Sequence, residues 1–321
     1  MKRILVTGAA GQIGRELVPA LRDRYGSQEV IAAGHSTPLP DTMKEAGPHT
    51  VVDVTNPLQI KDAIEKYEID TVYHMSTILS ALAENKRQRA HAVNITGLCN
   101  ILEAAHLSGV EKVMVPSSIA AFGPETPRDL TPNDTIQRPN TLYGISKVFG
   151  ELLGNYYSLR LGLDVRGLRL PGIINCMDYE PTAGTTDYAV LIFFSALRES
   201  RYSCYLRPDT RLPMMYMPDA IRAIIELSET SIDRLTHRAD FNVSAMSFTP
   251  AELADAIQER IPDFKIKYEI DPLRQSIADT WPQVLDDTVA RDEWGWKPDY
   301  DMDAMVDDML VQMREKLGMS G

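Results

Sequence analysis

In the stretch "TLYGISK", Tyr143 and Lys147 stand four residues apart. On a helix that spacing puts a phenol and an ammonium on one face, about 6 Å apart along the axis. A phenol titrates near pH 10 and is a poor base at neutral pH, but a neighbouring cation favours its phenolate. Upstream, "PSSIAAFG" carries Ser117 and Ser118. Ser118, or alternatively Ser117, can hydrogen-bond a substrate hydroxyl and turn it toward Tyr143, while Lys147 supports the phenolate. The set suits proton abstraction from an alcohol coupled to hydride transfer to a nicotinamide, whose ribose Lys147 can also hold. An ordinary Tyr and Lys on an amphipathic helix would show the same spacing, so position must decide.

A second motif supplies a place for such a cofactor. "VTGAAGQIG" sets Gly8, Gly11 and Gly14 between a β-branched run and a helical stretch, with Gln12 and Ile13 inside the turn. Glycines permit a tight turn and close backbone approach, and the helix start offers unpaired N–H groups to a pyrophosphate. About twenty residues further on, where an Asp or Glu ordinarily holds the adenosine ribose, "VIAAGHSTP" offers Gly34, His35 and Ser36. No arginine follows them to capture a 2′-phosphate. The expectation is therefore NAD, held by the backbone near Gly34 and by His35 or Ser36, without the repulsion an acid would direct at NADP. Asp53 at the end of "VVDV", beside Val54, can accept from an adenine amino group or simply open a turn. His74 ends an apolar run and reads as a satisfied, partly buried histidine before it reads as a catalyst. Ser80 in "HMSTILS" can reach a small substrate or cap a helix.

The elements that must position these residues follow from the hydrophobic rhythm. "RILVT", "EVIAA", "TVVDV", "DTVYHM" and "EKVMVPSS" are strand-like. Between them lie helical stretches such as "IGRELVPALRDRY", "PLQIKDAIEKY" and a long helix running to about residue 106; a further helix spans about 141–161. Strands separated by helices of that length give right-handed βαβ units and a parallel sheet covered on both faces: a doubly wound, Rossmann-type α/β architecture. After "DVRGLRL" the rhythm changes, and residues 171–188, with Pro171, Gly172, Pro181 and Gly184, read as loop. "PDAIRAIIELSE" and "TPAELADAIQERI" read as helices and "DFNVS" as a strand. The expected division is a cofactor domain over 1–170, with 213–240 packed on it, and a smaller substrate-binding lid region over 171–212 and 241–321.

A net charge of -12 over 321 residues disfavours nucleic acid and anionic membranes as partners. The basic cluster "KRQR" at 86–89 reads as a solvated helix face. No apolar tract is long enough to span a membrane and the run after Lys2 and Arg3 is too short for a signal peptide, so a cytoplasmic location is expected. Cys99, Cys176 and Cys204 suggest neither a disulfide framework nor, with the histidines, a metal site.

Together, "TGAAGQIG", "VNITGLCN", "SSIAAFG" and "YGISK" resemble the extended short-chain dehydrogenases/reductases, which include nucleotide-sugar epimerases and dehydratases. "LRLPGII", "GTTDYAV", "LPMMYMPD" and "TWPQVLDDTVARDEWGW" resemble, nearly end to end, the short-chain type of L-threonine 3-dehydrogenase, a family distinct from the zinc-dependent enzymes of that name. The resemblance implies NAD-dependent oxidation of the threonine hydroxyl to 2-amino-3-ketobutyrate, which loses carbon dioxide to give aminoacetone or is cleaved by a partner CoA ligase to glycine. It implies Tyr143 as base, Lys147 as its support and Ser118 as the residue that polarises the hydroxyl. Ser80, Gly184, Thr186 and Trp281 match positions at the substrate, Leu170, Pro171, Gly172 and Ile173 the loop beside the nicotinamide, and Asn94 a cofactor contact. It further implies a homodimer paired through helices at about 84–106 and 141–161. A nucleotide-sugar epimerase or dehydratase, using Arg201, Arg207 and Arg211 for a diphosphate, is the alternative enzyme. A non-catalytic NAD(P) sensor is the alternative of another class, against which the intact Tyr and Lys stand.

Overall fold

Strands that are apolar on both faces have to be covered on both faces, and the alternating βα rhythm does this. The structure, a computed structural model, describes residues 3–176 and 184–319. β1 (Ile4–Thr7), β2 (Val30–Gly34), β3 (His49–Val51), β4 (Thr71–His74), β5 (Lys112–Met114) and β7 (Asp164–Arg166) form one parallel sheet in the order β3-β2-β1-β4-β5-β7. Side chains alternate between its faces. Leu5, Ile31, Val72 and Val113 pack with Ile60 and Ile64 of helix Pro57–Tyr67 and Ile101 and Leu102 of helix Gly97–Leu107. Ile4, Val6, Val30 and Met114 pack with Leu17 and Leu21 of helix Gln12–Tyr25 and Ile224 of helix Met217–Glu229. The strand order reverses at β1 and β4, which opens a crevice beyond their carboxyl ends.

Three smaller sheets extend the fold: β6 (Ser117–Ser118) and β12 (Phe241–Asn242) flank β8 (Leu168–Leu170), β9 (Gly172–Ile174) and β13 (Met246–Phe248) flank β11 (Leu212–Tyr216), and β10 (Arg201–Cys204) pairs with β14 (Lys265–Tyr268). Their largest core joins Tyr188, Phe193 and Phe194 of helix Tyr188–Glu199 to Leu253 and Ile257 of helix Pro250–Arg260 and Met305 and Met309 of helix Met302–Lys316.

Two expectations need correction. Residues 171–188 are not all loop: β9 pairs in parallel with β11, Gly172 opposite Met214, so tertiary pairing overrides the turn propensity of Pro171 and Gly172. Residues 177–183, with Pro181, lie outside the described residues. The long helix ending near 106 is broken into Ser80–Asn85, Arg87–His91 and Gly97–Leu107, the last two joined by a π turn over Ala92–Thr96. Asn94 lies in that wide turn, where its amide bonds both the N–H and the carbonyl of Ile78.

Candidate active site

The glycine turn follows β1 directly. Gly8 has φ 68°, and a Cβ there would lie 2.7 Å from the carbonyl carbon of Met75. Gly14 meets the Gly8 carbonyl even more tightly, at 2.4 Å for a built Cβ. Side chains at either position would force the turn away from the crevice or the helix away from the turn. Helix Gln12–Tyr25 starts without a side-chain cap and with no acid in its first turn, so its amino end keeps N–H donors for an anion. This cradle fits a dinucleotide pyrophosphate.

Two cavities meet at Met75, Ser76 and Thr77 in the crevice. One is lined by Gln12, Ile13, His74, Ser80, Asn94, Ser117, Ser118, Tyr143, Lys147, Leu170, Pro171, Gly172, Ile173, Gly184, Thr186 and Trp281. The other is lined by Gly8, Gly11, Gly34, His35, Ser36, Asp53 and Val54. Of the site residues expected from sequence, Gly14 alone lines neither, because it is spent on helix–turn packing. Thr185 and Asp187 also line the first cavity and were missed. "GTTDY" held both, but nothing in its spacing separates a lining side chain from its neighbours.

Tyr143 and Lys147 lie on helix Leu142–Tyr156, which Thr141 caps by accepting from the N–H of Gly144. Burial pushes the Tyr143 phenol up to about 12, and its hydrogen bond with the Ser118 hydroxyl pulls the other way. Lys147 sits with its ammonium 5.4 Å from the centre of the Tyr143 ring and donates to the Pro116 carbonyl at 2.7 Å. Burial lowers it to about 8, and the charge of Glu151 one turn on acts against that shift. Lys147 was expected to pull the phenol down. Desolvation dominates the phenol here, and the pull comes from Ser118.

Ser117 does not share that position. Its hydroxyl donates to Glu151, which also binds Arg169 in two parallel bonds of 3.0 and 2.9 Å and accepts from Gln137 at 2.7 Å. The weaker candidate for the substrate hydroxyl is therefore engaged in a buried network. His74 is buried, its Nδ1 is 2.8 Å from the Thr7 hydroxyl, and burial together with the charge of Lys147 lowers it to about 3, so the ring stays neutral. Ser80 lies 3.4 Å from the Thr185 hydroxyl, tying helix Ser80–Asn85 to the segment before helix Tyr188–Glu199. Trp281 is buried, and Arg128 holds its carbonyl at 2.8 Å.

At the other end the side chains are more exposed. Asp53 accepts from the N–H and hydroxyl of Thr55, so it does open a turn, and its second oxygen faces His35 at 3.6 Å. Its pKa is lowered: desolvation opposes the shift, but the bonds from Thr55 and the charges of His35 and Arg89 outweigh it. Arg207 pairs with Asp279 and Arg211 with Glu252, and neither they nor Arg201 line the crevice. Among the described residues no group of three metal-ligating side chains forms, and no helix is long and apolar enough to cross a membrane.

Residues 4–243 match the NAD dependent epimerase/dehydratase family. The mitochondrial L-threonine 3-dehydrogenase of Bos taurus is 46% identical over 309 residues, covering 96% of this chain and 82% of that protein. The solved L-threonine dehydrogenase of Clostridium difficile is 48% identical with a TM-score of 0.94, covering 98% of each chain. A monomeric L-threonine 3-dehydrogenase of metagenomic origin is 41% identical with a TM-score of 0.92, covering 97% of this chain and 99% of that one. With its parallel sheet, its glycine cradle and a cavity lined by Ser118, Tyr143 and Lys147, the chain belongs to the NAD dependent epimerase/dehydratase family, in the branch that holds the short-chain L-threonine 3-dehydrogenases.

Proposed function

We propose that this chain oxidises the side-chain hydroxyl of L-threonine to 2-amino-3-ketobutyrate, with NAD as hydride acceptor and Tyr143 as base. The observation that carries the reading is one cavity in which Ser118, Tyr143 and Lys147 share walls with Ser80, Thr185, Thr186 and Trp281. That is a small space with an acid–base set at one side and hydroxyls for a polar substrate at the other. A bound oxidised nicotinamide would take the hydride and bring a positive charge. The chain's own residues do the rest. Ser118 orients the alcohol, the Tyr143 oxygen takes its proton, and the Lys147 ammonium, 5.4 Å from the ring centre, brings positive charge beside the ring. Burial alone keeps the phenol protonated, so abstraction depends on positive charge gathered beside the ring.

Among the described residues, Glu151 and Asp187 are the carboxylates that line the cavity. Glu151 is engaged by Arg169, Gln137 and Ser117, and Asp187 accepts from the N–H of Gly184 at 2.8 Å. Buried Trp281 excludes water. The product is a β-keto acid, suited to decarboxylation to aminoacetone or to cleavage by a partner CoA ligase. The ion pairs of Arg207 and Arg211 speak against a nucleotide-sugar diphosphate. Purified protein with NAD should form NADH on addition of L-threonine and none with UDP-sugars; no NADH from L-threonine would remove this reading.

Exposed Ile145, Leu152, Tyr156 and Leu159 recur along one stripe of residues 141–161, and this supports pairing of two copies there. Sedimentation at micromolar concentration should give twice the 35.9 kDa chain mass; a single-chain mass would show that this protein, like its metagenomic relative, is monomeric.

A further inference from the structure

The cluster "KRQR" has a use that its sequence position hides. Arg89, on the short helix Arg87–His91, reaches across to the loop after β2 and donates to the Ser36 hydroxyl at 3.2 Å. Ser36 in turn lies 3.1 Å from His35 Nδ1, and all three line the cavity at the adenosine end. Position 34, the end of β2, carries no side chain, so no carboxylate stands there to chelate ribose hydroxyls. Among the described residues the one acid lining this cavity, Asp53, has one oxygen bonded to Thr55 and the other turned to His35. Among the described residues a guanidinium that donates one bond, to Ser36, a hydroxyl and an imidazole converge on a solvent-open place that Asp53 also lines, with no acid at position 34.

We infer that this end of the cleft takes a 2′-phosphorylated adenosine, so that the chain accepts NADP as well as NAD, with Arg89 as the specificity-determining residue and Ser36 and His35 as supporting donors. The inference rests on the dinucleotide reading of the cleft and not on threonine as substrate. A phosphate dianion gains charge-assisted bonds from Arg89 and Ser36 that a bare 2′-hydroxyl cannot match, and the gain shrinks with salt because the site is exposed.

The test is calorimetric titration of the full chain with adenosine 5′-monophosphate and adenosine 2′,5′-bisphosphate, at low and at moderate salt. The bisphosphate should bind about tenfold more tightly than the monophosphate at low salt. Arg89→Ala should erase that difference while leaving the monophosphate within about twofold. Ser36→Asp should reverse it by placing a carboxylate against the 2′-phosphate. Equal or weaker binding of the bisphosphate by the unaltered chain, loss of both ligands alike in Arg89→Ala, or no binding of either fragment would overturn the inference. Failure of the threonine assay with these titrations behaving as described would remove the substrate reading alone.

Discussion

The two ends of the crevice are built to opposite rules. At the catalytic end Tyr143, His74 and Trp281 are buried, and the Arg169–Glu151 pair beneath them is at most 3% exposed. At the adenosine end the corresponding contact, His35 with Asp53, is 49% and 29% exposed and spans 3.6 Å. Burial makes each charge and hydroxyl at the first end costly to disturb, because a lost partner leaves the other stranded in low dielectric. Water at the second end replaces lost partners, so changes there alter selectivity more than stability. On the proposed reading, chemistry is placed where geometry is stiff, and cofactor choice where side chains can be exchanged cheaply.

The largest expected effect follows from removing the phenol oxygen. Tyr143→Phe keeps the ring that packs beside Lys147 and deletes the group bonded to Ser118. Turnover of L-threonine should fall by about a thousandfold with NAD affinity nearly unchanged. Stopped-flow rates combined with nucleotide titration measure both, and near-normal turnover would remove Tyr143 from the base role.

Next comes the support beneath the catalytic end. Glu151→Gln leaves the Arg169 guanidinium buried against a neutral amide and should cost about 3–5 kcal/mol of stability. His35→Ala, breaking the exposed pair, should cost less than about 1 kcal/mol. Urea unfolding of the two variants tests the contrast directly, and equal losses would mean that burial does not separate the two ends.

What could be read from the sequence divides along the same line. Tyr143 and Lys147 are four residues apart on one helix, and the glycine turn is a local motif, so both were legible before any contact was known. The parallel sheet was legible too, since its strands and helices alternate in order. Arg89 was not: it meets Ser36 only because the broken helix before the π turn crosses the end of β2, 53 residues away in sequence. Ser117 could not be told from Ser118, because adjacent residues of a strand point to opposite faces and the register is set by pairing with β8. β9 was hidden because its pairing with β11 outweighs a Pro-Gly dipeptide.

His74 gives a smaller effect that depends on pH. Its folded-state value near 3 lies below the ordinary 6.5, so between those values the unfolded chain binds a proton that the fold refuses. The neutral ring's contribution is complete above about pH 6.5 and drains away as pH falls toward 3. At pH 5 the loss is about 2 kcal/mol. His74→Gln should flatten the pH dependence of the urea midpoint between pH 7 and 5 by that amount. An unchanged slope would show that the acid sensitivity lies elsewhere.

The smallest expected effect sharpens the comparison most. Asp53→Asn keeps an oxygen that can accept from the N–H and hydroxyl of Thr55, so the turn survives and stability should move by less than about 0.5 kcal/mol. What disappears is a negative charge in the same cavity as Arg89 and Ser36. With that charge gone, adenosine 2′,5′-bisphosphate should bind about threefold more tightly at low salt, and the gain should fade as the screening length shortens. Adenosine 5′-monophosphate separates this from a general loosening of the pocket, since it lacks the 2′-phosphate that Asp53 would repel. If both fragments gain equally, Asp53 acts on the adenosine as a whole, and the selectivity of this end rests on Arg89 without an electrostatic counterweight.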